Sequence, residues 1–222
     1  MASETVENYI KCIFSLQKET NDEGVATNAI ADHLQTKASS VTDMLKKLQK
    51  KGWVDYKKYH GVKLTTAGRA AALQIVRRHR LWEVFLVDKL DFKWDEVHEM
   101  AEELEHVNYQ ELTSRLDAFL DHPRFDPHGD PIPDRNGEIQ DHREKEALSL
   151  LEVGDAGVVI GVLDSSAEYL KYVDYLGLQL GQALEVTEKI LFDNSMSVVI
   201  NGKPQTVSHQ FAKNLLIKKQ NS

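Results

Sequence analysis

Cysteine is nearly absent: Cys12 is the one thiol in 222 residues. A lone thiol makes neither an intrachain disulfide nor a four-thiolate zinc site, so a reducing, cytoplasmic setting is expected. Long hydrophobic runs are also missing. No apolar stretch approaches the roughly 20 residues that cross a bilayer, and no membrane partner is expected. The opening MASETVENYI has no basic region followed by an apolar core, so no signal peptide is expected. A His-Glu-x-x-His zinc-hydrolase pattern, a phosphate-cradling loop and a nucleophile constellation are all absent, which argues against an enzyme. Proline is scarce except in one place: four of the five lie in residues 123–133.

What is present is ordinary globular composition, 41% hydrophobic and 28% charged, with room for one large domain or two to three small ones. The net charge of -8 is unevenly spread. Residues 37–72 sum to +7 and residues 73–142 to -9. Such a split suits a chain that meets phosphates with one part and cations with another.

Apolar spacing predicts helices over 4–19, 26–34, 37–52, 66–90, 95–107 and 109–122. Ser39 or Ser40 is expected to cap the third of these, and Gly52 to end it. Residues 53–65 alternate around a His60-Gly61 turn and predict a β-hairpin. Residues 122–146 read as a linker or extended loop. Short β-branched runs from 148 to 219, with a helix near 166–177, predict a small β-barrel. The fold class is therefore α+β. Residues 1–72 are expected to form a winged helix-turn-helix, 73–142 a helical domain with the Pro-rich linker at its end, and 148–219 the small β-barrel.

Two short helices followed by a hairpin present one helix end to a major groove. Lys37, Ser39, Ser40, Thr42 and Asp43 form that end. Base contacts are expected from residues 39–43, with Asp43 able to accept from a cytosine amine. Lys46, Lys47, Lys50 and Lys51, and the wing residues Lys57, Lys58, Tyr59, His60 and Lys63, would meet phosphates. Lysines at a helix C-terminus are also favoured by the helix dipole alone, but the dipole does not account for the order of elements.

On a helical wheel, Glu102, Glu105 and His106 lie at roughly 40°, 340° and 80° from His98. Val97, Met100, Ala101, Leu104 and Val107 occupy the opposite side. Like charges at this spacing repel unless a cation sits among them. His79 and Glu83, four apart on the preceding helix, form a second pair. Carboxylates with one or two imidazoles favour Mn²⁺ or Fe²⁺ over soft-metal chemistry, though Zn²⁺ and Co²⁺ also bind such sets. The alternative is a solvated acidic face, which is the preferred reading for Glu99 and Glu103.

A winged helix followed by RRHRLWE, VHEMAEELEHV and DPHGDPIP resembles the metal-dependent repressors of the diphtheria toxin repressor and manganese transport regulator type. The resemblance covers nearly the whole chain, and implies that residues 73–142 are a metal-binding and dimerisation domain and that the barrel of 148–219 is SH3-like. It implies a homodimer built on the middle helices, reading palindromic operator DNA, with a divalent metal as corepressor. Its primary site falls on Asn8, Glu102, Glu105 and His106. Asn8 stands where manganese members carry aspartate and iron members methionine, and offers a neutral carbonyl oxygen to a hard cation. Glu102 stands where the toxin repressor has cysteine. Lys11 stands where some manganese members place a further glutamate, so the closely paired two-ion cluster is not implied.

A secondary site falls on His79, Glu83, His98, Asp126 and His128, completed by Asp164 or Glu168. Asp126 also reads as a turn carboxylate in a Pro-rich loop. The resemblance thus implies a repressor of metal-uptake genes, with Mn²⁺ favoured over Fe²⁺. Two further readings stay open: a winged-helix regulator sensing an organic or redox signal, and a partner-binding role for the barrel.

Overall fold

The computed structural model describes residues 3–19, 24–57 and 60–220. The chain divides into two compact units. The first holds residues 1–82, 102–118 and 133–139; the second holds 83–101, 119–132 and 140–222.

In the first unit, α1 (Glu4–Glu19) carries Val6, Ile10, Ile13 and Phe14 at helical spacing, and all four are buried. They pack with Ile30 of α2 (Thr27–His33) and Val41, Leu45 and Leu48 of α3 (Ala38–Lys50). The α3 N-cap is Lys37, with no side-chain capping bond. Ser39 and Ser40 lie one and two residues inside the helix, too late to cap it. Gly52, at φ +74°, closes its C-terminal side. The hairpin of β1 (Val54–Lys57) and β2 (Gly61–Leu64) follows, in antiparallel register Val54 to Leu64. Val25 bridges Val62 as a third edge. Gly61 has φ +80°, and a Cβ there would fall 2.7 Å from the Val25 carbonyl oxygen. A tie across the unit comes from Gln17, whose Oε1 accepts the Leu64 N–H at 2.8 Å.

One residue after β2, α4 (Thr66–Leu90) begins, as its pattern predicts. It contributes 66–82 to the first unit and 83–90 to the second. Helix α5 (Val97–Leu104) is shorter than expected: Glu105 and His106 lie in a turn closed by the Val107 N–H to the Leu104 carbonyl. Helix α6 (Gln110–Phe119) follows. Residues 121–145 lack regular elements but are not a loose linker: Asp126, His128 and Ile132 are buried, and Phe125 bridges Pro131.

The second unit is built on a six-stranded antiparallel sheet in the order β3-β8-β4-β5-β6-β7. The strands are β3 (Glu146–Ala147), β4 (Ala156–Val162), β5 (Ala183–Ile190), β6 (Ser195–Ile200), β7 (Lys203–Val207) and β8 (Leu215–Lys219). Alternate residues such as Met196, Val198 and Ile200 point inward, the two-residue period of a half-buried strand. Helix α7 (Ala167–Tyr175), capped by Ser166, covers this core with Leu170 and Val173, and α8 (His209–Ala212) adds Phe211. Among the described residues, no helix is long and apolar enough to cross a membrane.

Candidate metal centre

Among the described residues, two groups of ligand-type side chains lie each within a single unit. In the first unit, ligand atoms of His79, Glu102 and Glu105 lie within 4.8 Å of one another. His79 Nδ1 is 2.7 Å from Glu105 Oε2. A cation is already present there. Lys11 Nζ donates to Glu102 Oε1 at 2.6 Å and Glu105 Oε2 at 2.5 Å, and lies 3.1 Å from His79 Nδ1. Glu105 is fully buried, and its Oε1 has no hydrogen-bond partner.

The expected quartet of Asn8, Glu102, Glu105 and His106 is therefore not assembled; His79 replaces His106 beside the two glutamates. The wheel placed His106 with them by continuing the helix to Val107. Because α5 stops at Leu104, the turn carries His106 to Glu7, where Nδ1 donates to Oε2 at 2.8 Å. Arg78 reinforces that turn, donating to the Glu105 carbonyl oxygen at 2.5 Å and to Glu7 Oε2 at 3.2 Å. Asn108 also reaches Glu7, at 3.3 Å. Asn8 lines a cavity of about 470 Å³ with Thr5, Tyr9 and Asp43, and its Oδ1 is buried without a hydrogen-bond partner. Sequence reasoning missed Glu7 and Arg78 altogether. Their signal was only an acidic residue beside Asn8 and an arginine beside His79. Cys12 is buried, which pushes its thiol up to about 12 and removes it as a thiolate ligand.

In the second unit, Glu83, Asp126 and His128 bring ligand atoms within 4.8 Å of one another, all three buried. The DPHG turn positions two of them. Asp126 Oδ1 accepts the N–H groups of His128 and Asp130, both at 2.9 Å. Gly129 lies at φ +87° directly over β4; a Cβ there would fall 2.2 Å from the Ile160 carbonyl oxygen. Arg143 donates to the Gly129 carbonyl at 2.7 Å and the Ile160 carbonyl at 3.0 Å, and two of its guanidinium nitrogens pair with Asp141.

The imidazole of His128 carries the chemistry furthest. Its Nε2 is 2.9 Å from the Trp94 carbonyl oxygen, which only accepts, so Nε2 holds a proton. The other ring nitrogen, Nδ1, lies 3.6 Å from Glu83 Oε1. A divalent cation bound there would find an imidazole nitrogen and carboxylate oxygens together. A backbone carbonyl behind the distal nitrogen is the usual support of a metal-bound histidine. His98 Nδ1 approaches the same Glu83 oxygen at 3.5 Å, with its side chain half exposed. Two carboxylates and neutral imidazoles fit a hard or borderline divalent ion in charge and donor type. Asp164 does not join this group: its Oδ1 accepts the Ser166 N–H ahead of α7, on which Glu168 is exposed.

On the nucleic-acid side, the N-cap Lys37 and, on α3, Ser39, Ser40, Asp43, Lys46, Lys47 and Lys50 are exposed, and Thr42 is half-buried. Lys46 pairs with Asp43 at 3.2 Å, moderating its charge, and Thr42 donates to the Ala38 carbonyl. His60 is exposed at the hairpin tip. Lys58 and Tyr59 lie outside the described residues.

Comparison with known proteins bears on the same parts. Residues 1–62 match the iron dependent repressor N-terminal DNA binding domain, and residues 65–134 the iron dependent repressor metal binding and dimerisation domain. The chain belongs to the iron-dependent repressor family. Residues 147–219 match the FeoA domain, which accounts for the SH3-like sheet. A manganese-dependent transcriptional repressor, solved with manganese, is 35% identical with a TM-score of 0.85, covering 97% of this chain and 100% of that one. ScaR, solved with bound Zn²⁺, is 30% identical with a TM-score of 0.76, over 96% and 98%. The iron-dependent repressor IdeR of Mycobacterium leprae (strain TN) is 34% identical over 132 residues, 59% of this chain. That match spans 56% of IdeR, a little over half the length of the curated relative. These repressor-family relatives are DNA-binding, metal-dependent regulators and not enzymes.

Proposed function

We propose that this family member is a manganese-favoring, metal-activated repressor of metal-uptake genes, acting as a homodimer on palindromic operator DNA in the cytoplasm. The observation that carries the metal reading is the convergence of buried Glu83, Asp126 and His128, whose ligand atoms lie within 4.8 Å of one another. Glu83, Asp126 and His128 are the proposed ligands, with His98 able to join them. The absence of sulfur donors favours Mn²⁺, with Fe²⁺ as the alternative and Zn²⁺ or Co²⁺ as substitutes in vitro. The neighbour solved with manganese supports the same preference.

An ion at Glu83 restrains α4, the helix that continues from the wing strand β2. Restraint selects among conformers that differ in the separation of the two recognition helices, which must be about 34 Å to enter successive major grooves. By linkage, operator DNA tightens metal binding by the same factor. The Lys46 to Lys50 face supplies phosphate contacts, and residues 39–43 read bases.

The test is operator retention by the full chain, titrated separately with Mn²⁺ and with anaerobic Fe²⁺, against a His128→Ala variant. Retention at lower free Mn²⁺, lost in the variant, is expected. Equally tight specific binding in chelator overturns metal activation, and tighter activation by Fe²⁺ overturns the manganese preference.

A further inference from the structure

Among the described residues, Lys11 places its ammonium inside the ligand cluster of the first unit. The Lys11 ammonium donates to Glu102 and Glu105, and its Nζ lies 3.1 Å from His79 Nδ1. The three partners come from α4, α5 and the turn after α5, and Lys11 itself from α1. A divalent ion bonded to the same oxygens, at roughly 2.0–2.6 Å, would lie where Nζ lies. Ammonium and metal cannot share the position. Glu105 cannot follow a displaced ion outward either, because its side chain is fully buried and its carbonyl is held by Arg78. One further donor atom is in place: buried Glu105 Oε1 has no hydrogen-bond partner.

We infer that Lys11 is a tethered cation that fills the His79, Glu102 and Glu105 cluster in place of a divalent ion. It ties α1 to α4 and to the α5 turn without any metal. Dissociable metal is then confined to the Glu83, Asp126 and His128 group. The inference rests on the metal-dependent reading above, and deepens it by assigning the two clusters different cations.

The experiment is metal stoichiometry of the full chain, by equilibrium dialysis against Mn²⁺ and elemental analysis, together with melting in chelator and in Mn²⁺. Lys11→Met removes the charge and the donors. Lys11→Gln removes the charge but keeps N–H donors, and so guards against a folding failure. Lys11→Arg keeps the charge. The neutral variants are expected to bind one more Mn²⁺ per protomer than the wild type. They should melt earlier in chelator and regain stability with Mn²⁺, whereas Lys11→Arg keeps the wild-type count. Failure of Lys11→Gln to gain an ion overturns the inference, as does a gain in Lys11→Arg. Loss of all Mn²⁺ binding by the wild type, with a gain in Lys11→Gln, instead overturns the function proposed above and leaves Lys11 in its assigned role.

Discussion

At the scale of single residues, the second unit depends on charges whose partners are specified. Asp141 is the clearest. Arg143 beside it, through side-chain hydrogen bonds, holds its carboxyl well below the usual carboxylate range, with Lys145 assisting. A depressed folded-state value stabilises the fold above the unfolded carboxylate range, near 4, and that stabilisation is lost as pH falls toward the folded value. Asp141→Asn is therefore expected to cost roughly 1–3 kcal/mol at neutral pH. The gap to wild type should close in strong acid. Thermal melts across pH check this, and a constant gap down to the lowest pH would exclude it. Charge partners of this kind were the least legible part of the sequence. Lys11 meets Glu102 and Glu105 across 91 and 94 residues, a pairing no local pattern encodes.

At the scale of elements, boundaries with local signals were legible. Helix α4 occupies the span expected of it, and the hairpin expected over 53–65 formed, though Gly61 opens β2 opposite Lys57 rather than lying in the turn. The end of α5 was not legible. Its apolar period continues through Val107 and no glycine or proline interrupts it. Arg78 and Glu7 capture Glu105 and His106 from outside the helix. DPHG was legible as a candidate ligand turn, but its burial was not, because Gly129 lies against β4 only in the fold. Gly129→Ala should displace Asp126 and His128 together, since both strain and collision oppose a Cβ there. Expected outcomes are a melting temperature lowered by several degrees and Mn²⁺ affinity weakened at least tenfold. Melting and calorimetry read the two separately, and unchanged values of both would refute the role given to this turn.

At the scale of the whole molecule, the proposed dimer needs an apolar surface. Leu90, Phe92 and Phe119, all in the second unit, are 51%, 38% and 64% exposed. The Phe119 ring sits 6.2 Å from Phe85, with Lys89 over it. Burying such a side chain is worth about 1.5–3 kcal/mol, so Phe119→Asp is expected to weaken self-association by roughly ten- to a hundredfold. Sedimentation equilibrium measures it, and an undiminished dimer would place the interface elsewhere. The charge split is also visible at this scale: the α3 lysines meet solvent, while Glu83, Glu105, Asp117 and Asp126 of the acidic run are buried.

The position of Lys11 also bears on metal scarcity. A chelator or a starved cell removes ions that exchange with solution, but an ammonium joined to α1 by its own side chain has no bulk concentration to fall. Its effective concentration at Glu102 and Glu105 is set by chain geometry. Divalent ions entering that cluster compete with a ligand that never dilutes, so the cluster's response is displaced toward metal excess. Depletion is then registered at Glu83, Asp126 and His128, leaving the first unit folded around a charge that cannot be dialysed away.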